Sequence, residues 1–179
     1  TLSEAEVNAY ESLMPGMFAA LEALDQAPAA LPHIRYPERN PGKRPNRQDD
    51  PLNAIVRRCS VTGAPAGKLA GKRLGFKDNV CVASIPMTCA SLVLDGYVPD
   101  IDATIVTRIL DAGGEIRAIL NMENFAFSAA GDTSAYGPIR NPHNPDYLAG
   151  GSSGGSAAAL YYDDIDLSIG ADQGGSIRM

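Results

Sequence analysis

The sequence predicts an α/β layer fold preceded by a helical extension, and three observations carry that expectation. A capping-box pattern, Ser3 with Glu6 three residues on, opens a helix-compatible stretch at Leu2–Leu24. Ile101, Ile105 and Ile109, with Val106 and Leu110, recur at i, i+4 spacing through Asp102–Ala112, and the apolar run Ile116–Leu120 follows. Two further strand-type runs, Leu74-Gly75-Phe76 and Leu167–Ala171, each lead into a polar or glycine-rich turn. Helix and strand in alternation are the pattern of stacked layers.

In chain order, Pro15-Gly16 interrupts the first stretch and predicts two helices there. Residues from Pro28 to Pro51 hold many prolines and charges with little apolar periodicity, which predicts a linker or a wrapping arm. The expected boundary lies near residue 65, with a helical extension and proline-rich arm at 1–65 and the core at 66–179. Gly113-Gly114 ends the central helix, and Arg140 to Pro145 reads as consecutive turns. Ser156 to Tyr162 is alanine-rich and helix-compatible.

Composition narrows the function. Hydrophobic residues make up 45% and charged residues 20%, enough for a core, and the formal charge of −6 argues against nucleic-acid and anionic-membrane partners. No apolar run approaches the roughly 20 residues a bilayer demands, and no basic-then-apolar leader is seen, so a cytoplasmic location is expected. Cys59, Cys81 and Cys89 give an odd count without CxxC spacing, which predicts reduced core thiols and neither a metal nor any other cofactor.

The chemistry concentrates in two glycine clusters bearing serine, Gly150–Ser156 and Asp172–Arg178. Hydroxyls among bare backbone amides suit acyl transfer, with successive amides in Asp172 to Ser176 as candidate oxyanion donors and Ser176 as the attacking oxygen. A flexible Gly/Ser loop is the bland alternative, but each cluster borders a helix- or strand-like segment. A serine nucleophile requires a base. His33 lies in the proline-rich stretch and His143 in the turns, both of which suit surface connections. Lys77 follows an apolar run, and burial would lower its pKa enough for the amine to serve instead. Taken alone it also fits a surface charge.

Gly71–Val80 (GKRLGFKDNV), Ala149–Ala159 (AGGSSGGSAAA) and Gly170–Arg178 (GADQGGSIR), in this order and separation, resemble the amidase signature family. The resemblance implies the N-terminal part of that family's fold, a mixed β-sheet core flanked by helices. It also implies a Ser-cisSer-Lys triad of Lys77, Ser152 and Ser176, with a cis peptide ahead of Ser152. Neutral Lys77 would take a proton from Ser152, and Ser152 one from Ser176, while the backbone amides of Gln173, Gly174, Gly175 and Ser176 would hold the oxyanion. Ser153 and Asp172 match supporting positions, and Arg178 suits a structural partner of Asp172. Where family members often carry a Gly-Lys-Thr-Asn-Met-like segment, this chain reads Ala118-Ile119-Leu120-Asn121-Met122-Glu123, a departure that touches no triad position.

The extension and arm resemble the dimer-forming N-terminal region of bacterial nitrile-pathway amidases, which implies a homodimer. Family members run to several hundred residues, so the 179 residues here are expected to be an inactive N-terminal part whose partners include the missing C-terminal portion and a small-molecule amide substrate. The expected reaction is hydrolysis of small carboxamides, with carbamates and esters as alternatives, amide-nitrogen transfer to an aminoacyl-tRNA as a lesser option, and a non-catalytic scaffold behind them. A phosphate-binding loop fails on its motif, because Gly63–Leu69 has three residues between its glycines and no Ser/Thr after Lys68. A cysteine nucleophile would need its own base and orienting group.

Overall fold

The computed structural model describes residues 2–27 and 31–179. Pro28, where the sequence starts the proline-rich arm, lies outside them. The chain divides into two compact units at Leu31/Pro32.

The first unit is one helix, α1 (Glu4–Asp25), and not the two expected. Both halves of its capping box form: Ser3 N–H donates to Glu6 Oε2 at 2.8 Å, and Glu6 N–H donates to Ser3 Oγ at 3.4 Å. Pro15 sits inside without ending the helix. Proline removes one N–H···O bond, and the remaining turns of a 22-residue helix carry the backbone past it.

The second unit is built on a five-stranded mixed sheet. Its strands are β1 (Arg39–Lys43), β2 (Ile55–Thr62), β3 (Arg73–Lys77), β4 (Glu115–Leu120) and β7 (Leu167–Ile169), in the order β1-β2-β4-β3-β7. β2 pairs antiparallel with β1 and β4, whereas β3 is parallel to both β4 and β7. Parallel neighbours need a crossover, and α2 (Thr104–Asp111) lies between β3 and β4 in the chain. A small hairpin, β5 (Arg140–Asn141) with β6 (Asn144–Leu148), stands apart, followed by the short α3 (Gly154–Ala158).

β4 is buried on both sides, as a central strand must be. Ile116 and Ile119 join Leu74, Phe76, Val106 and Leu110 in one apolar cluster, while Ala118 and Leu120 join Ile55, Ile139, Ala158 and Ile165 in the other.

The boundary near residue 65 does not coincide with the division of the units, since β1 and β2 precede residue 65 and belong to the main sheet. Nor are residues 39–43 a linker. Pro41 is tolerated in β1 because an edge strand has N–H positions that face no neighbour. Arg39 anchors that edge through a buried bidentate pair with Asp102, at 2.7 and 2.6 Å, just before α2. No helix among the described residues is long and apolar enough to cross a membrane.

Candidate active site

Lys77 is the last residue of β3, in register with Leu120 at the end of β4, so its side chain starts at the carboxyl edge of the sheet, where open α/β sheets place their ligands. The glycine cluster reaches the same edge through α3. Gly155 N–H donates to Asn121 O at 3.1 Å, and a Cβ at Gly155 would stand 2.2 Å from that oxygen, an approach that glycine alone permits. The residues just before α3 are thereby carried against the end of β3. The Gly151–Ser152 peptide is cis.

Lys77, Ser152 and Ser153 are all buried. Lys77 Nζ lies 2.7 Å from Ser152 Oγ, 2.8 Å from Ser153 Oγ and 3.4 Å from Ala171 O. Ser153 Oγ in turn donates to Ala171 O at 3.0 Å. Burial pushes the Lys77 ammonium down to about 8, against the opposing pull of the Asp172 and Glu123 carboxylates. Of its three neighbours, Ala171 O can only accept, and the Ser153 hydroxyl already directs its proton at Ala171. Ser152 is therefore the neighbour able to pass a proton to an uncharged amine.

Ser176 follows in a turn after β7, half-buried. Its carbonyl accepts from Ser153 N–H at 2.9 Å, but among the described residues its hydroxyl makes no hydrogen bond to Ser152. Lys77 and Ser152 are thus joined, and Ser176 is held beside them through its backbone. Its side chain lines an open cleft of about 420 Å³ together with Gln173, Gly174, Ala126, Phe127 and Met179.

The four candidate oxyanion amides are not equivalent. Gly175 N–H donates to Asp172 Oδ1 at 2.7 Å. The N–H groups of Gln173, Gly174 and Ser176 have no partner among the described residues. Asp172 is the organiser of this turn: Arg178 contacts it at 2.9 and 3.0 Å and, with the Gly175 and Ile177 amides, holds its carboxyl well below the usual range.

The remaining candidates lie elsewhere. His33 is exposed, and His143 occupies the exposed β5–β6 turn, where Tyr161 hydrogen-bonds its ring. The three thiols are free, but only Cys59 is in the core, its thiol pushed up to about 12 by burial; Cys81 and Cys89 are half-buried, which corrects the expectation of three core thiols. Among the described residues no group of three or more His, Cys, Asp or Glu side chains gathers as a metal site would require.

Two buried carboxylates next to Lys77 and the Ser152 segment, Asp78 and Glu123, escaped sequence reasoning. Asp78 accepts from Thr88 Oγ1 at 2.6 Å and Ala90 N–H at 2.9 Å, fixing the loop beside Lys77. Glu123 lies beneath the Ser152 segment. A lone acid between Met122 and Phe125, directly after an apolar strand, was the signal available for it.

Residues 53–179 match the family described as Amidase. A glutamyl-tRNA(Gln) amidotransferase subunit of Haloarcula marismortui is 44% identical over 126 residues, which are 70% of this chain and 30% of that protein. The crystal structure of the like-named protein from Thermotoga maritima superposes with a TM-score of 0.68 at 34% identity, covering 73% of this chain and 29% of that one. Allophanate hydrolase of Kluyveromyces lactis gives a TM-score of 0.57 at 34% identity, over 60% and 17% of the two chains. The chain thus spans less than a third of the length of each.

Proposed function

The chain belongs to the Amidase family, and from that premise we propose that the whole protein hydrolyses small carboxamides to carboxylate and ammonia or amine through an acyl-enzyme. Lys77 is the base, Ser152 the bridging hydroxyl and Ser176 the nucleophile. The observation that carries this reading is the buried Lys77 amine, 2.7 Å from Ser152 Oγ and lowered to about 8.

As Ser176 Oγ attacks the substrate carbonyl, its proton passes to Ser152 while the Ser152 proton passes to Lys77. The free amides of Gln173, Gly174 and Ser176 receive the developing oxyanion, and such donors are worth roughly 2.7–4 kcal/mol each in studied hydrolases. Collapse of the tetrahedral intermediate breaks the C–N bond, and the leaving nitrogen takes the proton back along the same route. Water then attacks the ester in the reverse sense.

Carbamates and esters pass through the same tetrahedral species and remain within this reading. A second reading, amide-nitrogen transfer by a multi-protein complex, is favoured by the name of the Haloarcula relative. Release of ammonia from a panel of small carboxamides by the whole protein, lost in Ser176→Ala, supports hydrolysis. Release that requires an aminoacyl-tRNA and further protein components supports transfer, and no release under either condition leaves a non-catalytic scaffold.

α1 lies outside the family match and exposes Val7, Tyr10, Met14, Met17, Leu21 and Leu24 at alternating spacings of three and four. That is the repeat of a coiled-coil seam, and it supports a homodimer through the extension. The free thiols fit a reducing cytoplasm.

A further inference from the structure

Glu123 carries no part of the proton relay, yet it touches the backbone that leads into Ser152 and the 131–133 loop packed on it. It is fully buried just beyond β4. Its N–H donates to Ser152 O at 3.2 Å. Its carboxylate accepts from the backbone of Gly131, from Asp132 N–H at 3.2 Å, from Thr133 N–H at 2.9 Å and from the Thr133 hydroxyl.

The acid also sets the shape of the chain entering Ser152. A Cβ at Gly151 would lie 2.7 Å from Glu123 Cγ and 2.9 Å from Oε1, so the Gly151 backbone rests directly on the carboxylate. The loop that the carboxylate holds is packed on the residue before: a Cβ at Gly131 would lie 3.0 Å from Gly150 O. Glu123 O accepts from Ala126 N–H at 2.9 Å, which starts the turn into the cleft wall that Ala126 and Phe127 form.

We propose that Glu123 is a positioning residue for the Lys77–Ser152 pair, acting through the 150–152 backbone it pins. The inference rests on the reading of Lys77 as the base. Two carboxylates act on Lys77, Asp172 from the turn after β7 and Glu123 from the end of β4; Asp78, next in the chain, is directed at Thr88 and Ala90. Both acting carboxylates favour the ammonium, so removing the Glu123 charge makes Lys77 release its proton at lower pH. Loss of the pinning independently slows the reaction.

The test is the rate at which a fluorophosphonate labels Ser176 in the whole protein, followed against pH. In Glu123→Gln the midpoint of the alkaline rise is expected to move to lower pH and the plateau rate to fall about tenfold or more, as misplacement of catalytic groups does. Glu123→Asp, which keeps the charge on a shorter stem, is expected to restore the midpoint but not the full rate. A folded Glu123→Gln variant with an unmoved midpoint overturns the inference, whatever its rate, because a purely structural role would leave the midpoint alone. If Glu123→Gln does not fold, Thr133→Val removes one hydroxyl donor from the carboxylate: several-fold slower labelling supports the inference and unchanged labelling overturns it. An unlabelled wild type would instead remove the underlying assignment of Lys77, Ser152 and Ser176.

Discussion

Lys77 Nζ and Ser152 Oγ, 75 residues apart in the chain, stand 2.7 Å from one another in the protein interior. A strand end and a helix start create that meeting, and most of what can be tested follows from it.

The rate should depend on pH through Lys77. If the uncharged amine is the base, acylation by the whole protein rises as pH increases through about 8, the value to which burial lowers the group. Stability moves the same way. Between about 8 and the ordinary 10.5 the unfolded chain binds the extra proton, so unfolding becomes harder as pH rises across that window. A pH–rate profile and chemical denaturation at several pH values check the two signs.

Ser153→Ala removes the hydroxyl that links Lys77 Nζ to Ala171 O. Lys77 then loses one of its fixed neighbours, and turnover is expected to fall about ten- to a hundredfold with KM nearly unchanged, since positioning and not substrate contact is lost. Steady-state kinetics on the whole protein decides it.

Asp102→Ala leaves Arg39 buried and unpaired at the edge of the sheet. The expected loss is about 3–5 kcal/mol, the cost of breaking a buried pair from one side. Urea denaturation measures it, and a loss under about 1 kcal/mol would mean that the pair is solvated in solution.

Met17→Glu with Leu21→Glu places charge on the α1 seam. The whole protein is expected to sediment as a dimer and the double variant as a monomer; a variant that remains dimeric would locate the interface elsewhere.

The serine candidates could be named because they stand among glycines in short motifs, whereas Lys77 taken alone also fits a surface charge and, like the role of Ser152, entered through the family resemblance. The alternation of Ile116–Leu120 with the spaced Ile105, Ile109 and Leu110 likewise exposed β4 and α2. β1 was hidden because Arg39–Lys43 contains Pro41 and Gly42, residues that signal a turn unless an edge strand accommodates them. Pro15 misled in the opposite direction, since a long helix can absorb one missing N–H. Glu123 was hidden for a different reason. Its importance arises only when β4 delivers it to Gly151 and Thr133, and no local pattern encodes that meeting.

The most direct test of the relay is peptide mapping after fluorophosphonate treatment of the whole protein alongside Lys77→Ala and Ser152→Ala. The adduct is predicted on Ser176 of the wild type, with labelling slowed by orders of magnitude in both variants. An adduct on another residue, or a Lys77→Ala variant that labels as fast as the wild type, would contradict the assignment of Lys77 as the base acting through Ser152.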